Sequence, residues 1–222
     1  MSGVLDQVRS WWGGHGAAPA QGTPVERWVV VDVETSGLDA SSDHLLAVAA
    51  LGLSVDWRRQ CLDIVLGDSF EVVLQQQEGR SDHDNILLHG IGEQQQRDGM
   101  APGPALQAFA DFIQSAPLLA FHSAFDASML GRLSEQHLGR RLPNEWVDIA
   151  DLCAVTNEGV HARSLDEWMA HFGIHCLARH QASADALAEG ELLLQIWPRI
   201  APQCARWRDV VALAGHRRWL GA

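Results

Sequence analysis

Residues 27–38 read R-W-V-V-V-D-V-E-T-S-G-L, a nearly continuous apolar stretch that closes on two acids and a polar turn. Such a stretch is typical of a central strand that is buried on both faces. Because side chains two apart in a strand point to the same face, Asp32 and Glu34 are predicted to lie side by side. Two buried carboxylates without a partner cost free energy and suppress each other's ionisation. A divalent cation is the simplest counter-charge; the alternative is that both acids lie at the solvent end of the strand.

Further strands and helices extend this segment into a mixed α/β sheet. Strands are predicted at 45–53, 69–74 and 117–122, the first two forming a meander with the opening strand. Helices are predicted at 104–114, at 123–138, at 164–174 between a serine cap and a glycine stop, at about 182–197 ending at Pro198, and near the C-terminus. The segment 146–155 is ambiguous between strand and helix. This order indicates an α/β fold with a mixed central sheet flanked by helices.

The pattern divides the chain into three segments. Residues 1–26 combine a short amphipathic helix with a linker rich in Gly, Ala and Pro, which we expect to be flexible. Residues 27–200 carry the regular α/β pattern, and residues 201–222 form a helical extension. Each terminal helix could pack on the domain or bind a protein partner.

Charge limits the classes of partner. The 222 residues include 28 acids and 16 basic residues, all of them arginine, for a net charge of −12. Long-range repulsion argues against a broad, non-specific nucleic-acid coat. An acidic cluster that holds a divalent metal is still compatible with a phosphodiester substrate, because the metal reverses the local sign. The absence of a membrane-length apolar run and of a signal-peptide core predicts a cytoplasmic protein without membrane contact.

The four cysteines are scattered and include no C-x-x-C pair, which indicates reduced thiols in a cytoplasmic chain. His171 and His175 have the i,i+4 spacing of zinc ligands, and Cys176 follows them directly. No second ligand pair completes a zinc site there, so this is the weaker interpretation.

Two later motifs carry further candidate residues. His122 and Asp126 lie in H-S-A-F-D, where a buried strand gives way to a helix. Asp126 follows Ser123 by three residues, so it could equally be the acid of a helix cap. His180 and Asp185 lie in H-Q-A-S-A-D, and on one continuous helix a five-residue offset separates them by about 140°. They can converge only if His180 lies in the loop before the helix.

Together, these acids and the histidine are the parts of a two-metal phosphoryl-transfer site. Such a site needs several carboxylates to hold two cations roughly 4 Å apart, and a base that deprotonates water. Histidine suits that role because its unperturbed pKa is near 6.5.

The chain resembles the DEDDh 3′–5′ exonucleases in three motifs, V-D-V-E-T-S-G-L, H-S-A-F-D and H-Q-A-S-A-D, in this order. Among these it most resembles the proofreading type, similar to the epsilon subunit of DNA polymerase III, and H-G-I at 89–91 resembles a loop of that group. The resemblance spans about residues 27–197. It implies an RNase H-like α/β fold and the stepwise release of nucleoside 5′-monophosphates from a 3′ end. The histidine marks the DEDDh branch, since the DEDDy branch carries tyrosine and this chain has none.

The resemblance also implies a role for each matched position. The metal ligands for two Mg²⁺ or Mn²⁺ ions would be Asp32, Glu34, Asp126 and Asp185, and His180 would be the general base. The terminal nucleotide would be held by Thr35, Gly37 and Leu38, and the site would be lined by His89, His122 and Phe125. The substrate would be a nucleic-acid 3′ end, with single-stranded DNA favoured and RNA second. A terminal helix could dock on a polymerase.

Other functions fit the sequence less well. The D-V-E-T segment also resembles the D-x-D-x-T loop of haloacid-dehalogenase-type phosphatases, but Glu34 stands at the second acid and the chain has no lysine. A Rossmann dinucleotide site is excluded because no G-x-G-x-x-G follows the first strand. A catalytically silent adaptor of the same fold would be marked by loss of an acid or of the histidine, and all five are present.

Overall fold

The structure is a computed structural model, and it describes residues 25–76 and 90–219. Its strands are β1 Glu26–Thr35, β2 Leu45–Asp56, β3 Cys61–Val73, β4 Leu118–Ala120 and β5 Trp146–Asp148. Its α-helices are α1 Glu93–Asp98, α2 Pro102–Ile113, α3 Ala124–Leu138, α4 Ile149–Thr156, α5 Leu165–Phe172, α6 Ala182–Ile200 and α7 Trp207–Ala214. The helix predicted at 1–12 and the candidate residue His89 lie outside the described residues.

The five strands form one sheet in the order β3-β2-β1-β4-β5. Strands β1, β2 and β3 pair antiparallel, as the meander predicted, whereas β4 pairs parallel to β1 and to β5. The predicted mixed α/β sheet is confirmed. Strand β1 is the central strand, which explains its nearly continuous apolar sequence, since both of its edges are paired and both of its faces are covered.

Successive side chains of β1 face two different hydrophobic cores. Val29 and Val31 belong to the core under helices α2 and α3. Trp28 and Val30 belong to the core formed with helices α4 to α7. Because side chains alternate along a strand, Asp32 and Glu34 continue the face of Trp28 and Val30 and lie on the side that α6 covers.

Two helix boundaries show how local sequence and packing compete. Helix α5 begins after Ser164, whose hydroxyl accepts the Glu167 backbone N–H, and it ends at Gly173 with φ 69°, as predicted. The prediction that α6 ends at Pro198 is wrong, because the helix continues to Ile200. A proline in the last turn removes a single backbone hydrogen bond, and the burial of Ile200 in the core offsets that loss.

The segment 146–155 contains both predicted alternatives in succession, strand β5 and then helix α4. Asp148 ends the strand, and its carboxylate caps the helix by accepting the Ala150 N–H at 2.8 Å. After α6, helix α7 packs into the same core through Trp207, Val210 and Leu213. None of the helices in the part of the chain that the structure describes has the length and apolar character needed to cross a membrane.

Candidate active site

Carboxylates from the first and third motifs meet where the N-terminal half of α6 covers the end of β1. One oxygen from each of Asp32, Glu34 and Asp185 lies within 4.8 Å of the other two. Glu34 and Asp185 are buried and Asp32 is half-buried. Among the described residues, this is the group of His, Cys, Asp and Glu side chains whose spacing could hold a metal ion. An all-oxygen donor set of this kind suits Mg²⁺ or Mn²⁺.

The three side chains together form the acidic pocket, and the positive charge nearby does not balance their carboxylates. The pKa of Asp32 is raised well above its usual value, first by desolvation and then by the neighbouring charges of Glu189, Asp126, Glu34 and Asp185. An acid in such surroundings gives up its proton when a cation supplies the missing counter-charge. The residues of the pocket therefore fit a divalent metal.

Asp126 enters the same region from the first turn of α3. Asp126 is buried there, and the Ser123 side chain makes no capping hydrogen bond. Desolvation raises the pKa of Asp126 to about 8, and the charges of Asp148 and Glu34 add to the rise. Asp126 is not part of the group within 4.8 Å, but its charge acts on Asp32.

His180 lies in the turn before α6, in the one arrangement that allows it to approach Asp185. Its backbone has a left-handed φ of 64°, and its N–H donates to Asp185 Oδ2 at 3.0 Å. Arg179 forms ion pairs with Asp185 and, at 2.6 Å, with Asp166. The Arg179 guanidinium is therefore directed at two carboxylates. Cys176 Sγ lies 3.7 Å from Asp185 Oδ1, so it contacts this acid and not a histidine pair.

The loop after β1 exposes an apolar side chain beside the acids. Thr35 is buried, and its hydroxyl donates to the carbonyl of Gly37 at 2.7 Å. A Cβ at position 37 would lie only 2.5 Å from Asp43 Oδ2, so a larger residue there would displace the Asp43 carboxylate, which accepts hydrogen bonds from Ser36 and from the Asp39 N–H. Leu38, which follows, is 93% exposed. The loop therefore presents Leu38 to solvent, where it can contact a ligand.

His122 follows β4, at the same sheet edge as the acids, because β4 is parallel to β1. It is exposed with φ 62°, its N–H donates to Asp148 Oδ1 at 3.0 Å, and its Nε2 is 3.2 Å from the Arg163 carbonyl oxygen. His122 lines a cavity of about 440 Å³ together with Asp151, Arg163 and Arg217.

Phe125 differs from the other candidates. It is partly buried against the core of the opposite sheet face, with α2 and α3. The structure thus gives this ring packing contacts with that core.

The sequence interpretation missed two acids. Glu189 lies one turn after Asp185 on α6 and is 2% exposed, and desolvation raises its pKa well above the usual value. Its i,i+4 offset from Asp185 could have identified it, since this offset places two side chains on one helix face. Asp148 could have been identified from its place at the end of a strand at the same sheet edge.

The sequence matches a known family over most of its length. Residues 29–193 match the model of the RNase_T family, described as Exonuclease. The chain is 25% identical over 173 residues to the DNA polymerase III PolC-type of Caldanaerobacter subterraneus, and 22% identical over 202 residues to that of Clostridium perfringens. These alignments cover 78% and 85% of this chain but 12% and 13% of the relatives. The chain thus spans about an eighth of the length of these curated relatives.

Solved structures with the same fold include those of Exonuclease I. One matches with a TM-score of 0.68 at 17% identity, over 86% of this chain and 44% of that chain. Escherichia coli Exonuclease I in complex with a dT13 oligonucleotide matches with a TM-score of 0.64 at 16% identity, over 78% of this chain and 41% of that chain. These matches confirm the predicted RNase H-like α/β fold.

Proposed function

The chain belongs to the RNase_T exonuclease family, within the DEDD superfamily of 3′–5′ exonucleases, and we propose that it hydrolyses single-stranded DNA stepwise from the 3′ end to nucleoside 5′-monophosphates. The observation that carries this proposal is the approach of Asp185 to Asp32 and Glu34, about 150 residues earlier in the chain, so that one oxygen of each lies within 4.8 Å of the others. An isolated binding module has no need for three acids gathered at this cost in electrostatic free energy.

Four acids would hold the cofactor, which we propose to be two Mg²⁺ or Mn²⁺ ions: Asp32, Glu34, Asp126 and Asp185. When bound, such ions supply positive charge that activates water and stabilises the charge developing on the phosphate. The raised pKa values of Asp32 and Asp126 support a cation in this pocket, because a positive neighbour favours the ionised form of both acids.

His180 would take the proton of the attacking water. The hydrogen bond from its backbone N–H to Asp185 holds the residue at the margin of the acidic pocket. Asp185 thus has two functions in this proposal, as a metal ligand and as the anchor of the base. A general base must lie within hydrogen-bond reach of the water it deprotonates, which makes this anchoring the main condition for its action.

The terminal nucleotide would lie between the β1 loop and the end of β4. Thr35 and Gly37 form the turn that presents Leu38, whose exposed side chain would contact the base. His122 would lie on the other side, beside the cavity that Arg163 and Arg217 line. Phe125 and His89 stay predictions from the sequence as residues that line the site.

Single-stranded DNA is the proposed substrate because Exonuclease I, which shares the fold, has been solved in complex with dT13 and dA16 oligonucleotides. The net charge of −12 supports a contact limited to the 3′ end, since a long electrostatic groove requires a basic surface. RNA ends are the alternative that the experiment must separate.

The test offers 5′-labelled single-stranded DNA, duplex DNA and RNA in parallel, with Mg²⁺, Mn²⁺ or EDTA. We expect a one-nucleotide ladder from single-stranded DNA with either metal and none with EDTA. Asp32→Asn removes one charge from the pocket and should abolish the ladder, whereas the matched control Asp111→Asn, on an exposed face of α2, should not. A catalytically silent adaptor would release no nucleotide from any end.

We propose that residues 27–200 form the exonuclease domain and that the segments 1–26 and 201–222 are accessory. Helix α7 of the second segment packs into the core, so a polymerase or other partner would engage the first. Deleting residues 1–22 should then preserve nuclease activity and remove partner binding. The four cysteines are free, which supports the proposed cytoplasmic location.

A further inference from the structure

Glu189 is a buried carboxylate that the proposed catalytic set does not use. Its side chain is 2% exposed and lies one helical turn after Asp185, on the same face of α6. Its Oε2 has no hydrogen-bond partner among the described residues. A buried carboxylate oxygen without a hydrogen-bond partner destabilises the folded state, and more so when it is ionised. The native environment of this oxygen should therefore contain a partner.

Glu189 is buried beside several other acids, and its carboxylate also accepts the backbone N–H of Phe121. Among the charged neighbours of Asp32, Glu189 has the largest effect, and Asp126, Asp185 and Asp148 act on Glu189 itself. In the described part of the chain, Glu189 forms no ion pair, and the nearby Arg179 pairs with Asp166 and Asp185. The Glu189 carboxylate therefore lies beside the acidic pocket, although it is not one of the three side chains within 4.8 Å of one another.

We propose that Glu189 is a fifth carboxylate of the acidic pocket, and that its Oε2 contributes negative charge and a ligand oxygen to the cations bound there. This inference rests on the proposed function. The cations supply the partner that Oε2 lacks, and one further carboxylate raises the affinity of the pocket, since affinity for hard cations increases with the number of charged oxygen ligands. Glu189 acts on the cations and not on the substrate.

A different role for Glu189 would be purely structural, as a protonated side chain that fills space under α6. The two roles differ in one measurable property. A structural side chain can be replaced by glutamine, which has nearly the same shape, without any change in metal affinity. If Glu189 belongs to the acidic pocket, glutamine lowers the metal affinity, because it removes the negative charge.

The experiment compares the full chain with Glu189→Gln and with a matched control, Glu191→Gln, which makes the same change on the same helix at a half-buried position. Calorimetric titration with Mn²⁺ alone gives the affinity, and thermal unfolding with and without Mn²⁺ gives the stabilisation. We expect Glu189→Gln to weaken Mn²⁺ binding by about 10- to 100-fold, the range for groups that support metal ligands. The rise in Tm caused by Mn²⁺ should shrink accordingly. Glu191→Gln should match the wild type in both measurements.

Wild-type Mn²⁺ affinity in folded Glu189→Gln would overturn the inference and leave the proposed function intact, provided the wild type binds Mn²⁺ and yields the nucleotide ladder. A wild type that binds no Mn²⁺ and releases no nucleotide would overturn both. If Glu189→Gln does not fold, a Mn²⁺-soaked crystal of the wild type distinguishes the two roles of Glu189. Anomalous density beside Oε2 supports the inference, and Oε2 facing protein atoms alone contradicts it.

Discussion

Strand β1 carries Trp28 near one end and Asp32 and Glu34 near the other, on one sheet face and under one helix, α6. At the first end, the Trp28 ring lies 4.9, 5.6 and 5.8 Å from the rings of Trp207, Trp57 and Trp197, all in edge-on arrangements. At the second end, Asp32 and Glu34 lie close to the acidic side chains of α6. The tryptophan end gains free energy from apolar burial and ring contacts, whereas the acidic end loses free energy until a cation is bound.

Helix α6 connects the two ends, because Trp197 belongs to one of them and Asp185 and Glu189 to the other. Packing at the tryptophan end fixes the position of the helix, and this fixes the acids against β1 despite their mutual repulsion. Stability and function are thus separated along one strand and one helix by a few turns. The following variants test this separation.

The largest effect is expected from Asp126→Asn, which keeps the shape of the side chain and removes its charge. Nuclease activity should fall by at least about 10²-fold, the scale for losing one electrostatic contact to a transition state. The free energy of unfolding in EDTA should rise, because the variant no longer buries a carboxyl group whose desolvation destabilises the folded state. The ladder assay and urea denaturation measure the two quantities. Retained activity, or a loss of stability, would contradict the proposed role.

His180→Asn should lower kcat by about 10²- to 10⁴-fold, the usual contribution of a general base. Asparagine tolerates the left-handed φ of 64° and retains the backbone N–H bonded to Asp185. Mn²⁺ affinity by calorimetry should therefore equal that of the wild type. An unchanged kcat would remove His180 from the role of base.

The acidic end should also make stability depend on pH when metal is removed. Burial raises the pKa of Asp126 from 3.8 to about 8, so the folded state binds more protons than the unfolded state between these values. The free energy of unfolding in EDTA should then fall as pH rises from about 4 to 8, by about 1.4 kcal/mol for each unit of raised pKa. Denaturation curves at several pH values measure the slope. Asp126→Asn should flatten it, and a slope of the opposite sign would contradict the assignment.

Trp28→Ala addresses the other end of β1. Removing a fully buried tryptophan should lower the free energy of unfolding by about 3–5 kcal/mol. The folded protein should still bind Mn²⁺ with wild-type affinity, because the acids lie at the far end of the strand. Denaturation and calorimetry below the transition check both expectations. A parallel loss of metal affinity would show that the two ends are not separate.

The smallest effect is expected from Leu38→Ala. The side chain is 93% exposed, so the free energy of unfolding should change by less than about 0.5 kcal/mol. KM for single-stranded DNA should rise by roughly 5- to 30-fold, equivalent to about 1–2 kcal/mol of lost apolar contact. Leu66→Ala, at a 69% exposed position on β3, is the matched control and should leave KM unchanged.

Features set by neighbouring residues could be predicted from the sequence. Strand alternation placed Asp32 and Glu34 on one face, and the cap formed by Ser164 and the left-handed Gly173 set the ends of α5. The helical offset of 140° correctly required His180 to precede α6. These features depend on geometry that a few residues determine.

Features set by tertiary packing could not be predicted. The burial of Glu189 is one of these features: its i,i+4 offset from Asp185 gives the helix face, but the burial of that face results from the way α6 covers a strand about 150 residues earlier in the chain. The extension of α6 past Pro198 likewise depends on the core that receives Ile200. Arg179 could equally have faced solvent or a phosphate, and only the fold brings Asp166 and Asp185 to it.

The double pairing of Arg179 has a consequence for the speed of the reaction. Arg179 joins Asp166 on α5 to Asp185 on α6, and His180 is the next residue along the chain. The segment between these helices is thus ordered from both sides before a substrate binds. The entropy lost in ordering it is included in folding, so it does not recur as part of the activation barrier in each catalytic cycle.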